Sequence, residues 1–278
     1  MSTPPKYPKT SLNTVKRIAN RGKYDYSTIH SLLNSSPIIH VSFNDPHSPF
    51  PITLPMIGCT GNFEDQDADP NTSAQDVYVH GYVSSRLMKL GSSSKSSEHG
   101  KGEGEQEEGF PLSISTAEIQ GLVLALSPNH HSLNYTSTLI MGYATPVTRE
   151  SEKLYAMQRI TNNLLPGRWE NSRQPPLASE MSSTSILRVR VVSASAKVRT
   201  GGPSEDRVDL GNDELRRRVW TGVVPTWRVW GEAVKAEECQ VVGEEQEKGI
   251  EAWRVGENMR GRGSAFRAAV EGDGGEKE

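Results

Sequence analysis

The feature that most constrains this chain is the order in which its strand-forming and helix-forming runs follow one another. Residues 110–115, 119–127 and 135–147 are apolar, β-rich runs separated by short polar stretches, with no helical pattern between them. The run at 119–127 carries apolar side chains on both faces, Leu122, Leu124 and Leu126 against Val123 and Ala125, as a central strand of a sheet does. Residues 185–191 alternate strictly, Leu187, Val189 and Val191 against Arg188 and Arg190, the mark of a half-buried strand. Upstream, 38–43 and 50–57 form a hairpin across the turn-forming Asn44, Asp45 and Pro46, and Val77, Tyr78 and Val79 open another strand. The last strand falls in 219–230, interrupted at Pro225. Helices are few. One is capped by Asp25 or Ser27, with Ile29, Leu32 and Leu33 on its apolar side. A second runs from Ser84 or Ser85 to Leu90. The third spans 149–165, capped by Thr148, with Leu154, Met157, Ile160 and Leu164 on one face and Pro166-Gly167 ending it. Regular strand–helix alternation is missing, which disfavours a doubly wound parallel sheet. The pattern predicts a mainly β chain, an antiparallel barrel with helical decorations.

Part of the length does not belong to this core. The hydrophobic fraction of the 278 residues is 34%, and the mean hydropathy is −0.58. That is lean for a chain packed throughout. Residues 91–109 contain nothing that can be buried and are expected to be a disordered insertion. Residues 58–75 read as a loop with a polar insertion at 61–75, 201–217 as a charged loop, and 1–23 as an irregular arm held out of helix by Pro4, Pro5 and Pro8. From 232 to 278 the chain is Glu- and Gly-rich without a sustained period and is expected to be an acidic, disordered tail, leaving 24–231 as the folded domain.

Charge and cysteine content narrow the function. The net charge is −3; the segment from 232 onward carries −5, so the rest is only weakly basic and offers no footprint for duplex nucleic acid. No apolar run is long enough to span a bilayer, so no membrane partner is expected. Cys59 and Cys239 match neither a zinc nor a disulfide pattern, and a reducing, cytoplasmic setting is expected. The basic, acid-free first 24 residues also suit mitochondrial import.

The sequence holds no GxGxxG, Walker loop, HExxH or GxSxG. Four features remain. In residues 77–86 a strand ends at His80-Gly81 and a helix begins at Ser84-Ser85-Arg86. This is either an ordinary capped helix with a solvated arginine or a grip for a phosphate, in which hydroxyls and a guanidinium meet the positive helix end. Lys197 and Arg199, two apart on a strand, face the same way and call for an anion or a surface carboxylate between them. His130 and His131 point to opposite sides of an extended chain and make a poor metal pair, so no metal is expected; Asn134 follows them. Trp220, beside Gly222, is either a core indole or a platform for a planar ring.

Taken in order, these segments resemble a known family. Lys16-Arg17, Arg21-Gly22-Lys23-Tyr24-Asp25, Ile29-His30, Pro37-Ile38-Ile39-His40-Val41 and His80-Gly81 with Ser85-Arg86 are similar to the N-terminal half of the nitroimidazole-resistance (Nim-type) flavoproteins. These form a branch of the pyridoxamine 5′-phosphate oxidase-like FMN-binding split β-barrels. Gly121-Leu122-Val123-Leu124-Ala125, His131-Ser132-Leu133-Asn134-Tyr135, Pro166-Gly167-Arg168-Trp169, Ala196-Lys197-Val198-Arg199-Thr200-Gly201 and Trp220 with Gly222 and Pro225 agree with its second half. The resemblance covers about residues 14–230.

It implies an antiparallel Greek-key split barrel, a homodimer and FMN as cofactor. It places the flavin phosphate on Ser84, Ser85 and Arg86 and the ring edge against the backbone of Thr53, Leu54, Pro55 and Met56. His80 would lie near the flavin as the catalytic residue, and Asn134, Lys197, Arg199 and Trp220 would close the site. The implied activity is an FMN-dependent, nitroreductase-like oxidoreductase passing electrons from NAD(P)H to a small planar acceptor, a nitroaromatic or a quinone. The alternatives are a flavin-binding or sensor module without turnover, and the same barrel using haem or a deazaflavin. Pyridoxamine phosphate oxidation itself is less favoured, because no arginine–histidine pair stands near the chain end. The segments 61–75, 91–109 and the tail have no counterpart in the compact bacterial pattern.

Overall fold

The computed structural model describes residues 5–93, 109–241 and 244–272. Most of the 91–109 stretch therefore lies outside the described residues. The chain divides into two compact units, Met1–Ala117 with Ser137–Ala196, and Glu118–Thr136 with Lys197–Glu278. The strands are β1 (Gly22–Lys23), β2 (Ile39–Phe43), β3 (Ile52–Met56), β4 (Gly58–Gly61), β5 (Asp76–Tyr82), β6 (Phe110–Leu124), β7 (Ser132–Pro146), β8 (Thr184–Arg199) and β9 (Gly222–Pro225). They make one mainly antiparallel sheet in the order β3-β2-β6-β7-β8-β5-β4, with β1 on β8 and β9 on β6. The mainly β fold class expected from the sequence is the one observed.

In the first unit the hairpin pairs Ile39 with Met56, Val41 with Leu54 and Phe43 with Ile52. The buried Ile39, Val41 and Phe43 join Val77, Val79, Ile114, Leu187 and Val189 in the main core. Helix α1 (Tyr26–Ser35) starts at Asp25, whose carboxylate accepts from the Thr28 amide at 2.8 Å and the Ser27 hydroxyl at 2.9 Å. Its His30 is buried and fixes two segments that lack secondary-structure signals of their own. Nδ1 donates to the Pro70 carbonyl at 2.6 Å, so Nε2 accepts from the Tyr7 hydroxyl at 2.7 Å. The arm is thus tied into the core through Tyr7, and the polar loop through Pro70.

Burial holds His30 below its ordinary pKa of about 6.5, so the fold requires the neutral ring. A base whose pKa is lowered by folding contributes stability that is present above its unfolded pKa and lost as the pH falls below it. The unfolding free energy should fall with acid below about pH 6.5, by up to about 1.4 kcal/mol per pH unit for this one proton. In His30→Gln that dependence should flatten. Urea titrations from neutral to mildly acid pH check this, and an unchanged slope would refute it.

Several elements differ from the sequence reading. Gly58–Gly61, taken as the start of the polar loop, is a buried strand pairing with β5. A Cβ at Gly58 would stand 2.8 Å from the Tyr78 carbonyl oxygen and 2.7 Å from Ile39 Cδ1. The glycine lets the backbones close, and it leaves no alternation to read. The runs 110–115 and 119–127 are one strand, and 185–191 extends to Arg199. Thr116 and Ser195 disguise the continuity, because both are buried polar residues. The Thr116 hydroxyl donates to Ser36 Oγ at 2.8 Å, and the Ser195 carbonyl accepts from Thr138 Oγ1 at 3.1 Å.

Helix α2 runs Arg86–Ser93 and α3 runs Glu150–Leu164. Arg149 rather than Thr148 precedes α3, and its buried face is Glu152, Tyr155, Ala156 and Ile160, while Leu164 is exposed. A short α4 (Ala178–Ser183) gave no sequence signal. The charged loop contains α5 (Arg207–Leu210) and α6 (Asp213–Arg218).

In the second unit β9 pairs with the end of β6, Leu122 opposite Val224 and Leu124 opposite Gly222. The segment expected to be a disordered tail instead contains a 26-residue helix, α7 (Glu245–Val270). Asn258 holds both the amide and the carbonyl of Trp230, at 2.8 and 3.0 Å, and Trp230 packs on Trp253. Ser264 Oγ accepts from Gln120 Nε2 at 2.7 Å, and Ala265 and Ala268 are buried. The docking face is Arg254, Asn258, Gly261, Ala265 and Ala268, small or polar residues at helical spacing. A hydrophobic period is absent for that reason.

Candidate functional site

The strand-to-helix turn in the first unit is built as a tight cradle. β5 lies between β4 and β8, with His80 opposite Ile186 and Gly81 opposite Ser185. The chain then turns through Tyr82 and Val83. The Ser85 amide donates to the Tyr82 carbonyl at 2.8 Å, and the Lys89 amide to the Ser85 carbonyl at 3.0 Å. Leu87 and Met88 are fully buried and seat the first turn of α2 in the core. A Cβ at Gly81 would come within 2.9 Å of Met88 Cε, the flexible end of a side chain, so the glycine eases the packing of α2 on the strand.

Around that turn the groups placed by sequence reasoning take up distinct states. Ser84 is exposed and Ser85 half-buried. His80 is half-buried; its Nδ1 is shielded from solvent and has no hydrogen-bond partner among the described residues. Burial pushes its pKa down, so the ring is neutral near pH 7. Arg86 keeps 60% of its side chain exposed, and its Nε lies 3.4 Å from Asp45 Oδ2. Asp45 is itself buried at the β2–β3 turn, where Oδ1 also accepts from the His47 amide at 2.9 Å.

This contact joins the hairpin to the start of α2, which are two of the elements named from the sequence. Asp45 had been read only as turn chemistry, because its carboxylate finds Arg86 about forty residues away. Thr53 and Pro55 are exposed and Leu54 and Met56 half-buried on β3, which stands at one end of the strand order. The Thr53 hydroxyl meets Ser42 Oγ at 2.8 Å. The outer backbone row of an end strand is the kind of surface that can meet the polar edge of a ring.

The other four candidates belong to the second unit. Asn134 is fully buried and Arg199 only 4% exposed. The guanidinium donates to Asn134 Oδ1 and to the carbonyls of Gly201 and Gly202, the last at 3.2 Å. The Asn134 amide donates in turn to the Gly201 and Ala268 carbonyls at 3.1 and 2.9 Å. The pair therefore anchors the end of α7 and the turn after β8. Lys197 is half-buried on β8. Trp220 is exposed, and its ring lies where a Cβ on Gly222 would stand, 2.8 Å from the nearest ring carbon.

The described residues thus offer an anion-seeking turn with two hydroxyls, a largely exposed guanidinium and an unsatisfied imidazole nitrogen. They fit a phosphorylated, hydrogen-bonding cofactor. Among them no group of three His, Cys, Asp or Glu side chains could hold a metal ion, and no helix is long and apolar enough to cross a membrane.

No curated protein matches the sequence. The fold matches the flavocytochrome Anf3 from Azotobacter vinelandii at 25% identity and a TM-score of 0.64, over 86% of this chain and 95% of that one. It also matches the FAD and heme binding protein from Mycobacterium smegmatis at 18% identity and a TM-score of 0.62, over 82% of this chain and 96% of that one. The family model described as pyridoxamine 5′-phosphate oxidase matches residues 25–198, more than half of the chain and the whole span from α1 through the β5–α2 turn to β8. The chain belongs to the pyridoxamine 5′-phosphate oxidase family.

Proposed function

We propose that this protein binds a flavin through the β5–α2 turn of its first unit and serves as a flavin-dependent oxidoreductase. The observation that carries the reading is the turn itself. Ser84, Ser85 and the exposed Arg86 sit together at the start of α2 beside His80, whose Nδ1 has no hydrogen-bond partner among the described residues, inside the span that matches the family. The two serine hydroxyls and Arg86 would hold the phosphate, and the β3 backbone at Thr53, Leu54, Pro55 and Met56 would meet the ring edge. Neutral His80 would face the cofactor with one nitrogen free to donate or accept. A bound flavin would supply the electron transfer, leaving the protein to orient it and control access.

FMN, NAD(P)H as reductant, a nitroaromatic or quinone acceptor, and a homodimer are the finer parts of this proposal. A flavin module without turnover is its weaker form. A second reading has its own support. The two solved structures named above each cover more than four fifths of this chain and are of proteins named for haem or a cytochrome as well as a flavin, so a haem beside the flavin is the natural variant. An absorption spectrum of the freshly purified protein separates the two, since a Soret band arises from haem and not from flavin. Chromatography of the released flavin distinguishes FMN from FAD. NAD(P)H oxidation with and without an acceptor then tests turnover. Colourless protein that takes up no added flavin would overturn the proposal.

Arg86→Ala should weaken flavin binding by about 1.5–3 kcal/mol, roughly ten- to a hundredfold in Kd, because one charge-assisted grip on the phosphate is lost. The thermal transition of the cofactor-free protein should move little, since Arg86 is mostly exposed and its ion pair with Asp45 is long. Fluorescence titration with flavin measures the first effect. Undiminished affinity would remove Arg86 from the phosphate site.

A further inference from the structure

Helix α7 of the second unit has two faces, and among the described residues one is packed while the other is largely exposed. Arg254, Asn258, Gly261, Ala265 and Ala268 face its own unit, as described above. On the opposite side a second row runs the length of the helix at spacings of three and four: Gly249, Ala252, Gly256, Met259, Gly263, Phe266 and Val270. This is the seam spacing of paired helices. Met259 is 70% and Val270 81% exposed; Phe266 leans on Trp227 and carries the Arg262 guanidinium over its ring, yet stays 47% exposed. A Cβ at Gly249 or Gly256 would meet nothing within 4 Å, and one at Gly263 would meet only its own helix's Arg267, so the row is open along its length. A helix this long that leaves three large apolar side chains in water needs a reason.

The row is complementary to itself when reversed. Set antiparallel about the centre of α7, between Glu257 and Asn258, it places Phe266 against Gly249, Met259 against Gly256 and Gly263 against Ala252, with Val270 opposite Glu245 at the end. The two largest side chains, Phe266 and Met259, then each find a glycine, which is the knob-and-hole condition for close approach of two helices. Charge follows the same symmetry. Residues 244–256 carry Glu244, Glu245, Glu247 and Glu251 against Lys248 and Arg254, while 257–270 carry Arg260, Arg262 and Arg267 against Glu257. An antiparallel pair would lay the acidic half of one helix along the basic half of the other, and a parallel pair would oppose like charges. A surface that complements itself under a two-fold rotation is what a symmetric contact between identical chains requires.

We propose that α7 is a self-association surface, through which two copies of this chain pair antiparallel along the row from Gly249 to Val270. None of the residues in this row is among those proposed to hold the flavin. The pairing adds a further doubling of mass to whatever assembly the rest of the chain makes.

Light scattering across a protein concentration series tests this on the full chain. Met259→Glu brings two carboxylates together near the symmetry axis without touching the docked face. It should halve the wild-type mass, or raise the dissociation constant more than tenfold, with the circular dichroism unchanged. Equal masses for the two proteins throughout the series would overturn the proposal. Direction is tested in a Cys239→Ser background by oxidising a mixture of Gly249→Cys and Phe266→Cys chains. Disulfide-linked mixed pairs are expected. Links within either variant alone, or none, would overturn the antiparallel arrangement. Binding of wild type but not Met259→Glu to anionic lipid vesicles, with mass unchanged, would assign the row to a membrane surface and equally refute the pairing.

Discussion

Arg199→Leu is expected to destabilise the protein by about 3–5 kcal/mol while leaving flavin binding per folded molecule intact. The guanidinium is almost wholly enclosed and answers three oxygens, Asn134 Oδ1 and the carbonyls of Gly201 and Gly202. A charge-assisted hydrogen bond contributes about 1.5–3 kcal/mol, and each buried acceptor left without a donor costs about 1–3 kcal/mol. Leucine cannot replace any of the three. Two neighbouring links survive, because Asn134 still donates to Ala268 and the Gly201 amide still donates to the Ala268 carbonyl at 2.7 Å. The loss is therefore large without being total. Urea unfolding should show the midpoint shift at unchanged slope, and a flavin titration below the transition should show wild-type affinity. The reverse result, a stable variant that no longer holds flavin, would return Arg199 to the cofactor site that the resemblance implied.

The second large effect is expected at Glu152, in the first unit. Its carboxylate is buried against α3's own unit, accepting from the Tyr78 hydroxyl at 3.2 Å and Arg188 Nη1 at 3.2 Å, with Arg149 Nε at 3.5 Å. Arg188 also lies 3.8 Å from Asp76, whose carboxyl is pushed up by burial despite that neighbour. In Glu152→Leu the fully buried Tyr78 hydroxyl loses its acceptor, and Arg188 loses its best counter-charge. Removing one member of an enclosed charge pair costs about 3–5 kcal/mol. Both arginines here reach water in part, which brings the expectation to about 3 kcal/mol. Glu152→Gln, which retains an acceptor for Tyr78, should lose about half as much. Thermal and urea transitions of the two variants decide the matter, and equal, small losses would show that the cluster is dispensable.

Elements with a strong period of their own were legible in the sequence. The β2–β3 hairpin, the alternation around Leu187 and Val189, and the Asp25 cap all follow from local rules, and so does the strand-to-helix turn at His80 to Arg86. What escaped is structure whose signal is carried by a distant partner. Glu152 looks like a surface acid until Tyr78 and Arg188 arrive, so the expected face of α3 was turned toward Leu154 and Leu164. β4 is a strand of Gly, Cys and Thr whose burial is decided by Tyr78 and Ile39. α7 packs with alanine, glycine and asparagine, which no hydrophobic count can distinguish from a solvated tail. The same holds for the site. Its hydroxyls and arginine lie in one short segment and could be read, whereas Asp45 joins them only across the folded hairpin. Arg199 reads in sequence as a cation in need of an anion or a carboxylate, because donation to Asn134 Oδ1 and to the Gly201 and Gly202 carbonyls has no counterpart there.

The clasp formed by Tyr7, His30 and Pro70 carries a consequence for how the amino end can be processed. A cleavable leader would have to be trimmed upstream of Tyr7. A protease that cut beyond it would remove a wedge from the interior, strand the imidazole nitrogen it served and loosen the segment tethered through Pro70. Any trimming of the amino end that spares this clasp must stop short of Tyr7.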